Sequence, residues 1–154
     1  MARNRVTIEK MEPWHLEVVA ENCREMDRRE IYLTCLLRPK QALELTAQEA
    51  VASWCALLDG KPVAVFGVNY LSHLDNTGVP WFVATDDIVK CRIQALKLSR
   101  KYFDRMARAF RVMENYVWVE NTVAVHWLKW MGFDMGEPEI YGAGRVPFMK
   151  FSKG

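Results

Sequence analysis

The chain has 154 residues, enough for one domain, spanning 1–154, with a substantial core. Its hydrophobic share of 51% and aromatic share of 12% exclude a disordered chain, and a formal charge of +2 sets up no global field towards nucleic acid or membrane. No apolar run approaches the about 20 residues of a membrane span.

The amino terminus, Met1-Ala2-Arg3-Asn4-Arg5, lacks the apolar core of a secretion signal. Cys23, Cys35, Cys55 and Cys91 are scattered without a Cys-x-x-Cys pair. The expectation is therefore reduced thiols in a cytoplasm and no metal site.

Taken in chain order, Val6 to Ile8 alternates as a short first strand. Glu12-Pro13 opens a helix through about Asn22, with the proline suited to the first turn. Arg28 to Leu37 is a second apolar-periodic helix, ended by Arg38-Pro39, and a further helical stretch is expected from Ala47 to about Ala52. Ser53 to Leu58 and Val63 to Tyr70 are strands around Asp59-Gly60-Lys61-Pro62, a hairpin signal. Ser72 to Gly78 is polar and loop-like, Val79 to Thr85 is the fourth strand, and Asp86-Asp87 is placed to start a helix.

The longest helix is expected from Cys91 to about Met113, with Ile93, Leu96, Phe103, Met106, Phe110 and Met113 on its apolar face. Lys97, Lys101, Arg105 and Arg108 repeat at three or four on the other face. A nucleic-acid surface would show that stripe, but so do solvated helix faces, and Asp104 interrupts it, so the solvated reading is preferred. Tyr116 to Val119 is the fifth strand. Asn121 is a favoured N-cap for a helix over Thr122 to Met131, and Gly132 stands where a left-handed residue ends it. Two strands follow, the last being Pro147 to Phe151. An antiparallel meander followed by crossovers predicts an α/β (α+β) fold: a central mixed β-sheet flanked by helices on both faces.

The stretch Asn121-x-x-Ala124, then apolar residues, then Lys129-x-x-Gly132-Phe133 resembles the last motif of the GCN5-related N-acetyltransferases, the GNAT fold. The order of elements is similar over nearly the whole chain. A narrower resemblance is carried by Trp81-Phe82-Val83-Ala84-Thr85-Asp86, the long basic helix and Asn115-Tyr116-Val117-Trp118-Val119. That pattern looks like a family of small proteins from T7-like tailed phages, whose best-known member is called an internal virion protein and which is commonly labelled acetyltransferase-like.

The resemblance implies acetyl-CoA as cofactor, lying in a splay between the fourth and fifth strands, and transfer of its acetyl group to an amine acceptor. Backbone of Phe82, Val83, Ala84 and Thr85 would hold the pantetheine arm, and amides near Cys91 and Arg92 would face the pyrophosphate. Asn121 would orient the cofactor or a water, and Glu120 or Asp86 would be the base. Two features depart from the GNAT pattern. The pyrophosphate loop, Thr85 to Ala95, contains no glycine, and Leu128 stands where many of these enzymes carry a proton-donating tyrosine. The alternative is a protein that keeps the fold without the chemistry and serves in virion assembly or binds a host protein. Either way the expected location is the host cytoplasm, or the virion itself.

Among other residues, Asp86 and Asp87 also read as helix caps, Glu120 as a solvated strand end and His73 as surface. His126 reads as a half-buried packing residue. Trp54, Trp81, Trp118, Trp127 and Trp130 read mostly as core, with Trp81 and Trp118 alternatively lining a slot between strands.

Overall fold

Seven strands form one mixed sheet in the order β1-β2-β3-β4-β5-β7-β6 in the computed structural model, which describes residues 5–154. The strands are β1 (Val6–Lys10), β2 (Ala50–Leu58), β3 (Lys61–Ser72), β4 (Thr77–Ala84), β5 (Val112–Trp118), β6 (Asp134–Tyr141) and β7 (Val146–Lys153). The helices are α1 (Pro13–Glu21), α2 (Glu25–Cys35), α3 (Pro39–Gln48), α4 (Arg92–Ala109) and α5 (Thr122–Trp130), with a 3-10 turn at Asp86–Lys90. The mixed sheet with flanking helices expected from the sequence is present. Among the described residues every strand pairing is antiparallel except β4 with β5, which α4 connects, and α5 carries the chain from β5 across β7 to β6.

The hairpin at Asp59-Gly60 follows directly from its residues. Both have positive φ, 49° and 84°, the left-handed pair that a two-residue turn between twisted strands requires. Gly132 also lies in the left-handed region, at φ 93°, and ends α5.

Three expectations need correction. Pro39 starts α3 instead of only stopping α2, because a proline at the first helical position sacrifices no hydrogen bond. The helical stretch expected at 47–52 is thus the end of α3 and the start of β2. The long helix stops at Ala109, so Phe110 and Met113 are buried from the following turn and from β5, not from the helix. β5 begins earlier than expected, at Val112.

Strand alternation builds a core on each face of the sheet. Ala64, Phe66 and Val68 of β3 face α4 and α5, where Phe103, Met131, Phe133 and Phe151 pack. Val65, with Cys55 and Leu57 of β2, faces α1 and α3, where Leu16, Val19 and Leu43 pack.

One junction governs the rest. β4 and β5 pair only at Thr77↔Val112 and Gly78↔Met113, and then diverge. A Cβ on Gly78 would come within 2.9 Å of Val68 Cγ2 and 3.0 Å of the Phe110 ring, so the absence of a side chain there leaves room for these two to pack over the junction. Beyond it the two strands leave a splay.

Candidate active site

Side chains, not backbone, cross the splay. At its narrow end Asn115 Nδ2 donates to the Pro80 carbonyl at 2.9 Å, and the Tyr116 amide donates to Asn115 Oδ1 at 2.8 Å. The Asn115 amide thereby adds one rung where the backbone ladder stops. At the wide end, α2 supplies two carboxylates. The Ala84 amide donates to Asp27 Oδ2 at 3.1 Å, and the Trp118 amide to Glu30 Oε1 at 3.0 Å. Asn121 Nδ2 joins the two, donating to Asp27 Oδ1 at 3.0 Å and Glu30 Oε1 at 3.1 Å.

Arg24 completes the cluster. Its Nη1 donates to Asp27 Oδ1 at 2.8 Å, its guanidinium lies 4.9 Å from the Trp127 ring centre, and its backbone amide donates to the Ala84 carbonyl at 2.9 Å. Cys23 forms a bridge with Thr85 alongside. The link between α1 and α2 therefore lies against the end of β4 like a short extra strand and takes the Ala84 carbonyl, while the Ala84 amide is held by Asp27 of α2.

The electrostatics follow from enclosure. Arg24, Asp27 and Asn121 are buried. Glu30 is half-buried as a residue, but its carboxyl group is enclosed, and burial, reinforced by the charge of Asp27, pushes it up to about 8. Burial also raises Asp27, against the opposing pull of Arg24, Asn121 and the Ala84 amide. Near neutral pH the Glu30 carboxyl therefore holds its proton beside the Arg24–Asp27 pair.

A cavity of about 210 Å³ opens through the middle of the splay, with Phe82 and Val83 on one wall and Tyr116 and Val117 on the other. Trp127, Leu128 and Ile31 give it an apolar lining, and Asp27 and Glu30 are its acidic groups. A carboxyl that keeps its proton near neutral pH beside an apolar cavity is suited to general acid work.

The residues expected from the sequence divide around this cavity. Phe82 and Val83 line it, whereas Ala84, Thr85, Cys91, Arg92 and Asn121 do not. Asp86 and Glu120 are exposed and also stand outside its lining. Asn121 occupies the N-cap position of α5, but its side chain makes no cap bond: Nδ2 is held by the carboxyls of α2, and Oδ1 is turned towards Arg24 Nη2, which donates to it at 3.5 Å. Arg92 is exposed at the first turn of α4, which has no side-chain cap. Lys90 and Lys61 bond Asp87 at 3.2 and 3.1 Å and hold its carboxyl below the usual range.

Asp27, Glu30 and Arg24 were not expected. Their signal was present: Asp27, Glu30, Ile31 and Thr34 fall at spacings of three and four on the inner face of α2. Two further corrections concern α5. His126 is exposed because Trp127 takes the inward position, and Trp130 is 44% exposed, not core.

Glu9, Glu12 and His15 bring donor atoms within 4.8 Å of one another, a spacing that suits a metal ion. However, His15 Nδ1 accepts the Glu12 amide at 2.9 Å, which leaves the proton of a neutral ring on Nε2. The nitrogen facing Glu9 is then a donor, not a ligand.

The fold has many solved counterparts. A spermidine N-acetyltransferase chimera from Vibrio cholerae is similar with a TM-score of 0.68 and 15% identity, covering 96% of this chain and 93% of that chain. A GNAT-family acetyltransferase from Bacillus anthracis gives 0.70 at 11% identity, covering 99% and 96%. A ribosomal alpha-N-protein acetyltransferase in complex with coenzyme A gives 0.67 at 9% identity, covering 99% and 96%. The fold is that of the GNAT acetyltransferases. In sequence, a family model described as bacteriophage T7 probable scaffold protein Gp13 matches residues 63–137. A comparison with curated proteins found no match.

Proposed function

We propose that this is a single-domain GNAT-fold protein of a tailed phage that has closed its acyl-CoA groove and acts by binding a phage or host protein in particle assembly. The observation that carries this reading is the engagement of Ala84. A pantetheine arm lying along β4 needs free backbone groups on that strand edge. Here the Ala84 amide is held by Asp27 and its carbonyl by the Arg24 amide. The engagement of Ala84 thus takes from an acyl-CoA one of the two β4 residues, Phe82 and Ala84, whose backbone faces the splay. The loop without glycine, the exposed Asp86 and the apolar Leu128 point the same way. The matching scaffold-protein family supports a place in a phage particle, reached from the host cytoplasm.

A second reading is an acetyl-CoA-dependent N-acetyltransferase acting on an amine. It is supported by the shared fold, the cavity in the splay and the raised Glu30 carboxyl. Phe82 to Thr85, Cys91, Arg92 and Asn121 would be its cofactor-binding residues, the base would be Glu120 or Asp86, and the protonated Glu30 carboxyl could serve only as a proton donor. This reading requires α2 to release Ala84.

Isothermal titration of the protein with acetyl-CoA, with CoA as control, separates the two. Absence of heat and of any thermal shift at millimolar ligand is the expected result. Micromolar binding would overturn the first reading and make a screen of amine acceptors the next step.

A further inference from the structure

Helix α4 concentrates positive charge as no other element does. Its 18 residues carry Arg92, Lys97, Arg100, Lys101, Arg105 and Arg108 against a single acid, Asp104. With 21 basic and 19 acidic residues in the whole chain, the remainder has 15 basic and 18 acidic and is net negative. Asp104 is itself neutralised, paired with Arg100 and Lys153. Lys97, Lys101, Arg105 and Arg108 are exposed, and none forms an ion pair with a described residue. They stand four, four and three residues apart, so like charges are helical neighbours and repel. A face that serves only for solvation ordinarily mixes the two signs.

An open groove of about 490 Å³ runs beside this stripe, between α4 and the end of α5, with Lys97, Arg100, Lys101 and Trp130 among its walls. Trp130 is 44% exposed. Arg100 fixes it, with the guanidinium 5.6 Å from the ring centre and Nη1 donating to the Trp130 carbonyl at 2.8 Å. A row of unpaired cations beside an exposed, braced indole matches the needs of a single strand of nucleic acid: charges for successive phosphates and a flat face for a base. An acidic polypeptide would use the charges but has no need of the indole. We infer that the groove between α4 and Trp130 binds single-stranded nucleic acid, with Lys97, Lys101, Arg105 and Arg108 on phosphates and Trp130 stacked on a base. Neither reading of the splay bears on this surface.

The test is fluorescence anisotropy of a labelled oligothymidylate with the full chain across a salt series. Four phosphate contacts to a single strand predict that affinity falls about 50-fold between about 50 and 200 mM NaCl. The triple variant Lys97→Ala/Lys101→Ala/Arg105→Ala should flatten the log–log salt slope by about 2. Trp130→Ala should weaken binding roughly tenfold and leave the slope unchanged. Circular dichroism checks that these surface variants keep their fold. No binding at about 50 mM NaCl would overturn the inference. So would equal binding of a duplex, or competition by poly-glutamate with no effect of Trp130→Ala, which would assign the surface to an acidic protein instead.

Discussion

The two ends of the β4–β5 junction are closed by different physics. At Gly78 the strands pair backbone to backbone, and the Val68 and Phe110 side chains pack over the space that the glycine leaves. At Ala84 and Trp118 the strands have parted, and their amides are satisfied by Asp27 and Glu30 reaching down from α2. The first closure depends on packing alone and carries no charge. The second places two carboxyl groups and a guanidinium in a buried site, where each is costly unless its partners hold. The fold's central gap is thus fixed at one end by shape and adjustable at the other by protonation.

Removing Asp27 should break the charged end most severely. Asp27→Ala leaves Arg24 buried without its partner and strips the Ala84 amide of its acceptor. Loss of one member of a buried pair costs about 3–5 kcal/mol, to be read from urea unfolding. A loss under about 1 kcal/mol would mean that the cluster is solvated and the closure weak. The same titration applied to Gly78→Ala probes the packed end. A methyl forced against Val68 and Phe110 should cost about 1–3 kcal/mol. An unchanged unfolding midpoint would show that the strands can part there too.

The ease of reading these ends from sequence also differs. Local signals carried the Asp59-Gly60 turn, α5 and its Gly132 stop, because each depends on neighbours in the chain. The same reading placed Asn121 at the N-cap but could not see where its side chain goes. Asp27 finds the Ala84 amide 57 residues away, and Glu30 finds the Trp118 amide 88 residues away. Nothing in the vicinity of either carboxylate marks that partner. Their helical spacing with Ile31 and Thr34 shows only that they face inward. Asp86 and Glu120 carry the more visible signal, at the ends of the expected strands, but both are exposed. Pro39 misled for a related reason, since a proline that stops one helix and one that starts the next look alike in sequence.

Protonation sharpens the comparison, because only the wide end can respond to pH. The Glu30 carboxyl, raised from 4.5 to about 8 in the folded protein, binds its proton more tightly folded than unfolded. Its contribution to stability is therefore complete below about 4.5 and is lost as pH rises through about 8. Between those values the slope attributable to this group reaches about 1.4 kcal/mol per pH unit. Glu30→Gln keeps an oxygen to accept from Trp118 and Asn121 and cannot ionise. Unfolding curves of this variant between pH 5 and pH 8 should be flatter than those of the parent, with the variant the more stable at the upper limit. Parallel curves would place the charge of the cluster elsewhere.

The smallest effect belongs to Asn115, which closes the narrow end with a neutral side chain. Asn115→Ala removes two hydrogen bonds, to the Pro80 carbonyl and from the Tyr116 amide. The residue is only half-buried, so water can replace part of what is lost, and the net cost should be about 1 kcal/mol. No charge is involved, so this loss should be the same at pH 5 and pH 8, unlike that of Glu30→Gln. Amide exchange at Tyr116 should quicken while that at Trp118, held by Glu30, stays protected. If both amides were released together, the two ends of the splay would be one cooperative unit, and the separation between a shape-closed and a charge-closed end would fail.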